Sequence, residues 1–326
     1  MGHGLIGRQR AEAVLAHGAE LAGTVDPVAA GRPDSPHFAA LEEIAEDAFD
    51  AAVIALPHDL AEPVAEAVLR TGKPVLLEKP LGLHADQARR LVDAAAGVAL
   101  PSFVGYNYRF LPGIRASLEA AASGRLGTLR TVDLLIGHGG HPGSAEGWKL
   151  KPERAGGGVV LDPGVHLLDL LLLLDPTLEL QSAVATRGFW KTGIEEDVVL
   201  TFAAEHLIAT VRVSHIRWVN TFRVEVLGEE GYAIAEGRGG TYGNQTLRLG
   251  RRWAWAEPDA GTQRESEEQR DFGPGNDSLT EELGAVLAVW RGDAPPPGPT
   301  PATFAEALAV TALCDAVYDR IGRAAV

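Results

Sequence analysis

The first hundred residues alternate short apolar runs with segments that carry apolar residues at helical spacing. We interpret the apolar runs as buried strands: Glu20–Asp26, Ala51–Leu56, Pro74–Leu77 and Ala99–Val104. We interpret the segments between them as helices: Phe38–Asp47, His58–Thr71 and His84–Ala96. Alternation of apolar strands with helices is typical of a parallel sheet covered on both faces. The pattern therefore predicts an α/β domain with a doubly wound parallel sheet over residues 1–104.

The pattern changes after about residue 105. After one more helix, Pro112–Ser123, the following segments alternate apolar with polar residues: Thr128–Ile136, Gln181–Phe189, Asp197–Phe202, Ile208–His215, Arg223–Leu227 and Tyr232–Glu236. A helix over Gly158–Leu174 interrupts them, and the acidic stretch Glu257–Asp277 predicts a loop. Period-two alternation predicts a second, α+β domain over residues 105–326 with a large, mostly antiparallel open sheet. A stiff connector, Pro295–Pro301, leads to a terminal helix, Thr303–Ile321, which could pack back on the first domain.

Composition excludes several classes of function. The 326 residues include 29 Lys and Arg against 44 Asp and Glu, a net charge of −15. Such a chain has no general attraction to nucleic acid or to an anionic membrane surface. The single cysteine, Cys314, excludes an intramolecular disulfide and a multi-cysteine metal site. The longest apolar run, Leu167–Leu174, is shorter than a membrane span, and no signal-peptide pattern is visible, so we expect a cytoplasmic, two-domain protein.

A glycine pattern at the start of the chain matches the dinucleotide-binding fingerprint. The segment Gly2-His3-Gly4-Leu5-Ile6-Gly7 precedes a helical segment, and Asp26 closes the next strand. In such a motif the glycines allow a tight turn, close approach to a pyrophosphate and packing of helix on strand, while the acid binds a ribose. The predicted cofactor-binding residues are Gly2, Gly4, Leu5, Ile6, Gly7 and Asp26. The alternative is a glycine-rich N-terminal segment without this role.

The strand that normally precedes this fingerprint has no counterpart, because only Met1 stands before Gly2. In a doubly wound sheet that strand is central. We therefore expect two unpaired neighbouring strands with a groove between them. Either the recorded start lies some six residues too late, or the nucleotide domain is compromised.

Glu78-Lys79-Pro80 directly follows the predicted strand Pro74–Leu77. Ligands of open α/β sheets bind beyond the carboxyl ends of the strands, which predicts that Lys79 points into the cofactor crevice. A lysine there can hydrogen-bond a substrate hydroxyl. A solvated lysine at a strand end is the equally weighted alternative.

The most informative stretch runs from the Gly156-Gly157-Gly158 triplet to Asp169. If the stretch is helical, Asp162, His166 and Asp169 share one face, and the other face is almost wholly leucine and valine. Acid–base chemistry in an apolar setting is one interpretation. One histidine and two aspartates are few ligands for a metal site, and we predict that no metal binds here. The alternative is that Asp162 caps the helix and His166 is a core histidine.

Other polar and aromatic residues are candidates for substrate binding. Tyr106, Tyr108 and Arg109 suit recognition of a hydroxyl-rich ligand, but they serve equally well in interdomain packing. Trp148, with Lys149 and Lys151, is similarly ambiguous.

Taken together, these stretches resemble the glucose–fructose oxidoreductase/inositol dehydrogenase (Gfo/Idh/MocA) family. The resemblance follows the family's order through almost the whole chain: the glycine motif, Asp26, Ala55-Leu56-Pro57, Glu78-Lys79-Pro80, Tyr108-Arg109-Phe110, the run from Gly156 to Asp169, and Val226–Gly231. It implies a Rossmann-type domain followed by a substrate domain. Members move a hydride between a nicotinamide and a hydroxyl-bearing carbon of a sugar or cyclic polyol.

The resemblance also implies roles for individual residues. Lys79, Asp162 and His166 correspond to the family's catalytic lysine, substrate-side carboxylate and acid–base residue. Pro57, Glu78 and Lys79 join the expected cofactor-binding set, and Asp162 and His166 join the expected substrate-binding set. Two features depart from the family: the first strand is absent, and a histidine usually found a few residues after Pro57 is displaced to His58.

The sequence hypothesis is thus an NAD(P)-dependent dehydrogenase or reductase acting on a sugar, polyol or related compound. NAD is expected over NADP, because Asp26 is followed by no basic residue until Arg32. The alternatives are a catalytically silent sugar- or nucleotide-binding relative, and a lyase or hydrolase that uses bound NAD for transient oxidation. One uncovered sheet face predicts a homodimer or homotetramer formed sheet to sheet, with Trp218 as a candidate contact.

Overall fold

The computed structural model describes residues 1–140, 147–252, 267–294 and 296–323. The chain divides into two compact units. The first unit comprises Met1–Asn107, Glu153–Gly156 and Asp277–Asp315. The second unit comprises Tyr108–Pro152, Gly157–Asn276 and Ala316–Val326.

The helices and strands follow one another in nearly the predicted order. The helices are α1 (Leu5–Ala16), α2 (His58–Arg70), α3 (Ala85–Ala95), α4 (Pro112–Ala122), α5 (Pro152–Ala155), α6 (Val165–Leu174), α7 (Ser278–Arg291) and α8 (Phe304–Ile321). The strands are β1 (Thr24–Val25), β2 (His37–Phe38), β3 (Ala52–Ile54), β4 (Val75–Leu77), β5 (Phe103–Val104), β6 (Leu129–Gly137), β7 (Glu179–Thr186), β8 (Asp197–Ala203), β9 (Ile208–Ser214), β10 (Thr221–Gly228), β11 (Gly231–Glu236), β12 (Gln245–Arg251), β13 (Glu268–Gly273) and β14 (Ala302–Thr303).

The first unit contains two separate sheets. Strands β3, β4 and β5 are parallel, and β14 closes one edge antiparallel to β5, giving the order β14-β5-β4-β3. Strands β1 and β2 form a second, two-stranded parallel sheet. Helix α1 packs on α7, and an apolar cluster that includes Val14, Leu76 and Leu283 holds them over the sheet. The predicted α/β fold with a parallel sheet is confirmed.

The gap between β1 and β3 is the predicted groove. Met1 bridges its end, because its N atom donates to Val53 O (2.6 Å) and its O atom accepts from Ala55 N–H (2.8 Å). On the other side, Gly2 N–H donates to Val25 O (2.8 Å). A cavity of about 800 Å³ occupies the gap, lined by residues of α1, β1 and β3 among others. Met1 therefore occupies the last position of a strand that would join the two sheets.

The second unit is built on an eight-stranded sheet in the order β13-β12-β11-β10-β6-β9-β8-β7. Only the central β6–β9 pair is parallel among the pairs described. Along β6, Val132, Leu134 and Ile136 are buried, and the residues between them are less so. The buried face packs against α4 and α6, as period-two alternation requires. The mostly antiparallel sheet is confirmed.

Three predicted elements differ from the structure. Phe38–Asp47 is not an amphipathic helix: it contains the end of β2 and two short 3-10 turns, Leu41–Glu43 and Glu46–Ala48. The predicted loop Glu257–Asp277 contains strand β13, whose polar side chains are those of an exposed edge strand; residues 257–266 lie outside the described residues. The connector Pro295–Pro301 is described only from residue 296.

The third prediction, a continuous helix over Gly158–Leu174, is only partly correct: a π-helical turn, Val160–Gly164, is interrupted at Asp162 and leads into α6, which begins at Val165. Asp162 has extended dihedrals (φ −149°, ψ 103°) because Pro163 follows it and disfavours the helical conformation in the preceding residue. The wider segment Pro152–Leu174 is 23 residues long, and its most apolar 18-residue window has a mean hydropathy of 1.7, as a membrane span does. Of its most apolar window, 72% is buried inside the protein, as in the core helix of a globular domain.

Candidate active site

The glycine turn at the start of the chain places its three glycines in different surroundings. Gly2 has φ 79°, and a Cβ there would lie 2.4 Å from Ala55 O. A Cβ on Gly7 would lie 1.8 Å from Gly2 O. Gly4 is exposed, and no atom of the described residues would lie within 4 Å of its Cβ. The fold therefore requires the first and third glycines, whereas the second leaves open space for a ligand.

The open space beside Gly4 lies at the N-terminus of α1. Gly4 is the N-cap residue, no side chain caps the helix within the described residues, and its first turn holds no acid. The first amide groups of a helix and its dipole favour an anion such as a pyrophosphate. The residues present thus fit the diphosphate of a dinucleotide, held by backbone amides of the turn.

Asp26 lies beside this turn. Its Oδ2 accepts from His3 N–H (2.7 Å), and its Oδ1 accepts from Val28 N–H (2.9 Å) and Ala29 N–H (2.8 Å). Although partial burial opposes ionisation, these backbone donors hold the pKa of the Asp26 carboxyl below its usual value. Asp26 is therefore an ionised acceptor next to the glycine turn, the chemistry that a ribose hydroxyl needs.

Glu78 and Lys79 follow β4, and the structure gives them different surroundings. Glu78 accepts from the Arg10 guanidinium (Nε–Oε1 2.8 Å), and Arg10 also contacts buried Glu282 (Nη2–Oε2 2.6 Å). This ion pair ties α1 to the sheet and to α7, and the predicted role of Glu78 in cofactor binding stays a prediction. Lys79 is half-buried just after β4, and its predicted orientation into a cofactor crevice stays a prediction.

Two residues near the Pro57 turn also have structural contacts. Pro57 is the N-cap of α2. His58 is buried, and its Nδ1 lies 3.0 Å from Ala155 O. Tyr106, predicted to bind substrate, is fully buried in the first unit. These positions favour packing roles for His58 and Tyr106.

Residues of the second unit bring the other candidates together. His166 is 4% exposed on α6, and its ring stacks on Tyr108 with centroids 3.9 Å apart. Asp162 precedes the helix, and its Oδ2 pairs with Lys149 Nζ (2.6 Å), which lies over the Trp148 ring. Burial raises the pKa of the Tyr108 hydroxyl well above its usual value, so that hydroxyl stays protonated.

Asp169 and Arg109 form a separate pair. The Arg109 guanidinium makes two hydrogen bonds with Asp169, Nε–Oδ2 at 2.8 Å and Nη2–Oδ1 at 2.5 Å. Both side chains are at most 2% exposed. The predicted common face of Asp162, His166 and Asp169 is therefore not formed. This pair fixes α6 against the segment that carries Tyr108, and the predicted role of Arg109 in substrate binding stays a prediction.

The glycine triplet is required by packing within the units. A Cβ on Gly157 would lie 2.0 Å from Tyr318 Oη, and one on Gly158 would lie 2.2 Å from Glu195 O. Buried Glu195 accepts from Gly158 N–H (2.8 Å) and from Tyr318 O–H (2.7 Å). No local pattern indicates Glu195, because its partners lie 37 and 123 positions away in the chain.

Arg238 and Tyr242 were also missed. Arg238 Cζ lies 5.2 Å from the Tyr108 ring centroid and 4.2 Å from that of Tyr242. Both residues stand in a glycine-rich segment after β11 that carries no recognisable motif. Burial opposes the charge, but Tyr108, Tyr242 and Asp162 hold the pKa of Arg238 above its ordinary value, so the guanidinium stays charged. Within the described ranges, no group of three or more His, Cys, Asp or Glu side chains could hold a metal ion.

Comparisons with known proteins agree with these features. Residues 1–106 match the family model described as oxidoreductase family, NAD-binding Rossmann fold, and residues 114–234 match the GFO/IDH/MocA C-terminal domain. A 1,5-anhydro-D-fructose reductase of Ensifer adhaerens is 35% identical over 165 residues, 49% of this chain and 48% of the relative. The chain spans about half the length of the curated relatives it matches.

Solved structures show the same fold. A levoglucosan dehydrogenase in complex with NADH superposes with a TM-score of 0.79 at 17% identity, covering 98% of this chain and 95% of the other. A 3-ketoreductase from Actinomadura kijaniata, in complex with NADP and TDP-benzene, gives 0.74 at 21% identity, covering 95% and 92%. The neighbours thus include both nicotinamide cofactors.

Proposed function

Because the chain belongs to the Gfo/Idh/MocA family of oxidoreductases, we propose that it is an NAD-dependent dehydrogenase or reductase. Its substrate would be a sugar, cyclic polyol or related compound, reacting at a hydroxyl-bearing carbon. The observation that carries the proposal is the exposed Gly4 at the uncapped start of α1, with the Asp26 carboxylate beside it. A bound nicotinamide supplies the hydride acceptor or donor.

NAD is the proposed cofactor in preference to NADP. Asp26 stays ionised, and a carboxylate accepts hydrogen bonds from a free ribose 2′-hydroxyl but repels a 2′-phosphate. Gly2, Gly4, Leu5, Ile6 and Gly7 surround the proposed diphosphate position.

His166 is the proposed proton acceptor for the substrate hydroxyl. A histidine titrates near neutral pH and can therefore take and return a proton under ordinary conditions. The stacked Tyr108 ring holds its imidazole plane. Asp162, fixed by Lys149, would accept a hydrogen bond from a neighbouring hydroxyl. Lys79 would donate a hydrogen bond to the reacting oxygen.

Nicotinamide absorbance at 340 nm, followed with a panel of sugars and polyols, tests this function. Turnover that depends on NAD and on one class of hydroxylated substrate supports it. Cofactor that stays bound without net turnover would instead favour the lyase or hydrolase alternative. A protein that binds no cofactor would favour the silent relative.

We also propose a homo-oligomer, a homodimer or homotetramer, formed through the open face of the eight-stranded sheet. That face carries exposed apolar side chains on neighbouring strands, including Val184, Val199 and Ile208. Light scattering tests this, because a mass of 34.4 kDa at micromolar concentration contradicts it.

A further inference from the structure

Within the part of the chain that the structure describes, the Arg238 side chain forms no salt bridge with a carboxylate. Its guanidinium lies over the rings of Tyr108 and Tyr242, at 5.2 and 4.2 Å from their centroids. Tyr242 also accepts a hydrogen bond from the guanidinium, whereas the buried Nε has no hydrogen-bond partner. Aromatic faces attract a cation but cannot accept the directional hydrogen bond that this Nε–H donates, so the guanidinium keeps donor capacity.

A second cation lies near the carboxylate that interacts with Arg238. Asp162 is the carboxylate that interacts electrostatically with Arg238, and its Oδ2 is already paired with Lys149 Nζ at 2.6 Å. Arg238 and Lys149 thus both interact with the carboxylate of Asp162, in a chain whose net charge is −15. Local positive charge that opposes the charge of the whole chain indicates a site for an anion.

The position of Arg238 connects this charge with the proposed chemistry. Tyr108 contacts the Arg238 guanidinium and also stacks on His166. His166 and Arg238 therefore share one aromatic neighbour, and a substrate that contacts both would extend past the Tyr108 ring. Arginine donates to carboxylate and phosphate oxygens in a planar, two-point geometry that lysine does not reproduce.

We propose that Arg238 binds an anionic oxygen group of the substrate, so that the substrate is an acidic sugar or polyol carrying a carboxylate or a phosphate. The inference rests on the proposed function, since it places the reacting hydroxyl at His166. It assigns Arg238 to specificity rather than to proton transfer.

Binding measured by calorimetry tests the inference without requiring turnover. The full chain, with NADH present, is titrated with D-glucose, D-glucuronate and D-glucose 6-phosphate. The wild-type protein is expected to bind at least one of the two anionic probes at least tenfold more tightly than glucose. The glucuronate and 6-phosphate titrations distinguish a carboxylate from a phosphate as the recognised group.

Variants test whether the preference for an anionic probe depends on the Arg238 side chain. Arg238→Gln is expected to bring the anionic and neutral probes within twofold of each other, whereas Arg238→Lys keeps part of the preference. Arg248→Gln is the matched control, because it removes the same charge from the same unit at a residue outside the proposed site. Circular dichroism checks that each variant is folded. If Arg238→Gln does not fold, Arg238→Lys is compared with the wild-type protein in its place.

The inference is overturned if wild-type protein does not prefer an anionic probe, or if the preference survives in Arg238→Gln. It is also overturned if Arg248→Gln removes the preference equally, since a general charge effect would then explain it. Failure of the proposed function appears differently, as absence of NAD-dependent turnover with every substrate, charged or neutral.

Discussion

The carboxylate of Asp26 accepts a hydrogen bond of 2.7 Å from the backbone N–H of His3. This bond joins the end of β1 to the glycine turn, so the acid and the turn are held as one structural element. Two further backbone donors, Val28 and Ala29, hold the other carboxylate oxygen. Oδ2 therefore keeps acceptor capacity for a ligand hydroxyl.

Replacing this carboxylate should change the choice of cofactor. Asp26→Ser removes the negative charge that repels a 2′-phosphate, and it also removes the acceptor for the ribose hydroxyl. We expect the ratio of kcat/KM for NAD over NADP to fall by at least tenfold. Steady-state kinetics with both cofactors measures it. Glu12→Gln, which removes an acid from the exposed side of α1, should leave the ratio unchanged. Equal or better efficiency of the wild-type protein with NADP would contradict the assignment.

Loss of the imidazole should affect the chemical step more than cofactor binding. His166→Ala is expected to lower kcat by about 10²–10⁴-fold, the usual cost of losing an acid–base group. The NAD dissociation constant should change little. Stopped-flow kinetics and fluorescence titration with NADH separate the two quantities.

A second histidine provides the control for this variant. His206 lies exposed on the turn between β8 and β9, and His206→Ala should keep full activity. If His166→Ala also kept near-full activity on the true substrate, His166 would be a core histidine packed on Tyr108 and nothing more.

Local patterns in the sequence predicted the parts of the fold that depend on neighbouring residues. The strand ends at Asp26 and Leu77 and the helix α2 follow from apolar period and turn residues, and all were found within a few positions. A continuous helix from Gly158 was predicted, but Pro163 keeps Asp162 extended and interrupts it. The apolar residues on both sides of Asp162 continue the same pattern, so hydropathy does not indicate this interruption.

Contacts between distant residues were beyond prediction. Arg109 and Asp169 are 60 positions apart, and Arg238 reaches Tyr108 over 130 positions. A lone arginine in a glycine-rich segment gives no pattern, and its surroundings are set by the register of the sheet. Tyr108, Asp162 and His166 stand in recognisable motifs and Lys149 is named beside Trp148, whereas no pattern in the sequence indicates Arg238 or Tyr242.

The buried Arg109–Asp169 pair should be a large contributor to stability. Asp169→Asn removes the negative charge of a carboxylate that makes two hydrogen bonds with a buried guanidinium, and removing one partner of a buried pair costs about 3–5 kcal/mol. Chemical denaturation measures the loss of unfolding free energy. Glu66→Gln, in the exposed pair with Arg70 on α2, should change stability far less. Equal effects of the two variants would show that burial does not govern the pair.

The groove between β1 and β3 should accept a strand. On the side of β3 that faces β4, Ala52 N–H donates to Pro74 O, and Glu78 N–H donates to Ile54 O. The N–H and C=O groups of Val53, which lies between these residues, therefore face the groove. Val53 O already accepts a hydrogen bond from the Met1 N atom there. In a parallel sheet, alternate residues of a strand bond to the strands on its two sides. Within the described residues, no strand pairs with β3 on the side of the groove beyond the contact with Met1, so backbone groups there are available for pairing. An apolar extension placed before Met1 would pair with both sheets and fill the cavity.

A six-residue extension, Val-Ile-Val-Ile-Val-Ala, tests this directly. Burying such side chains stabilises by roughly 25 cal/mol per Å² of apolar surface, so we expect Tm to rise by about 5 °C or more. Differential scanning calorimetry measures it, and the NADH dissociation constant should fall as the glycine turn is held on both sides. A Gly-Ser-Gly-Ser-Gly-Ser extension of equal length, which has no side chains to fill the cavity, should leave Tm unchanged. If the two extensions gave the same Tm, the gap between β1 and β3 would not be a strand position.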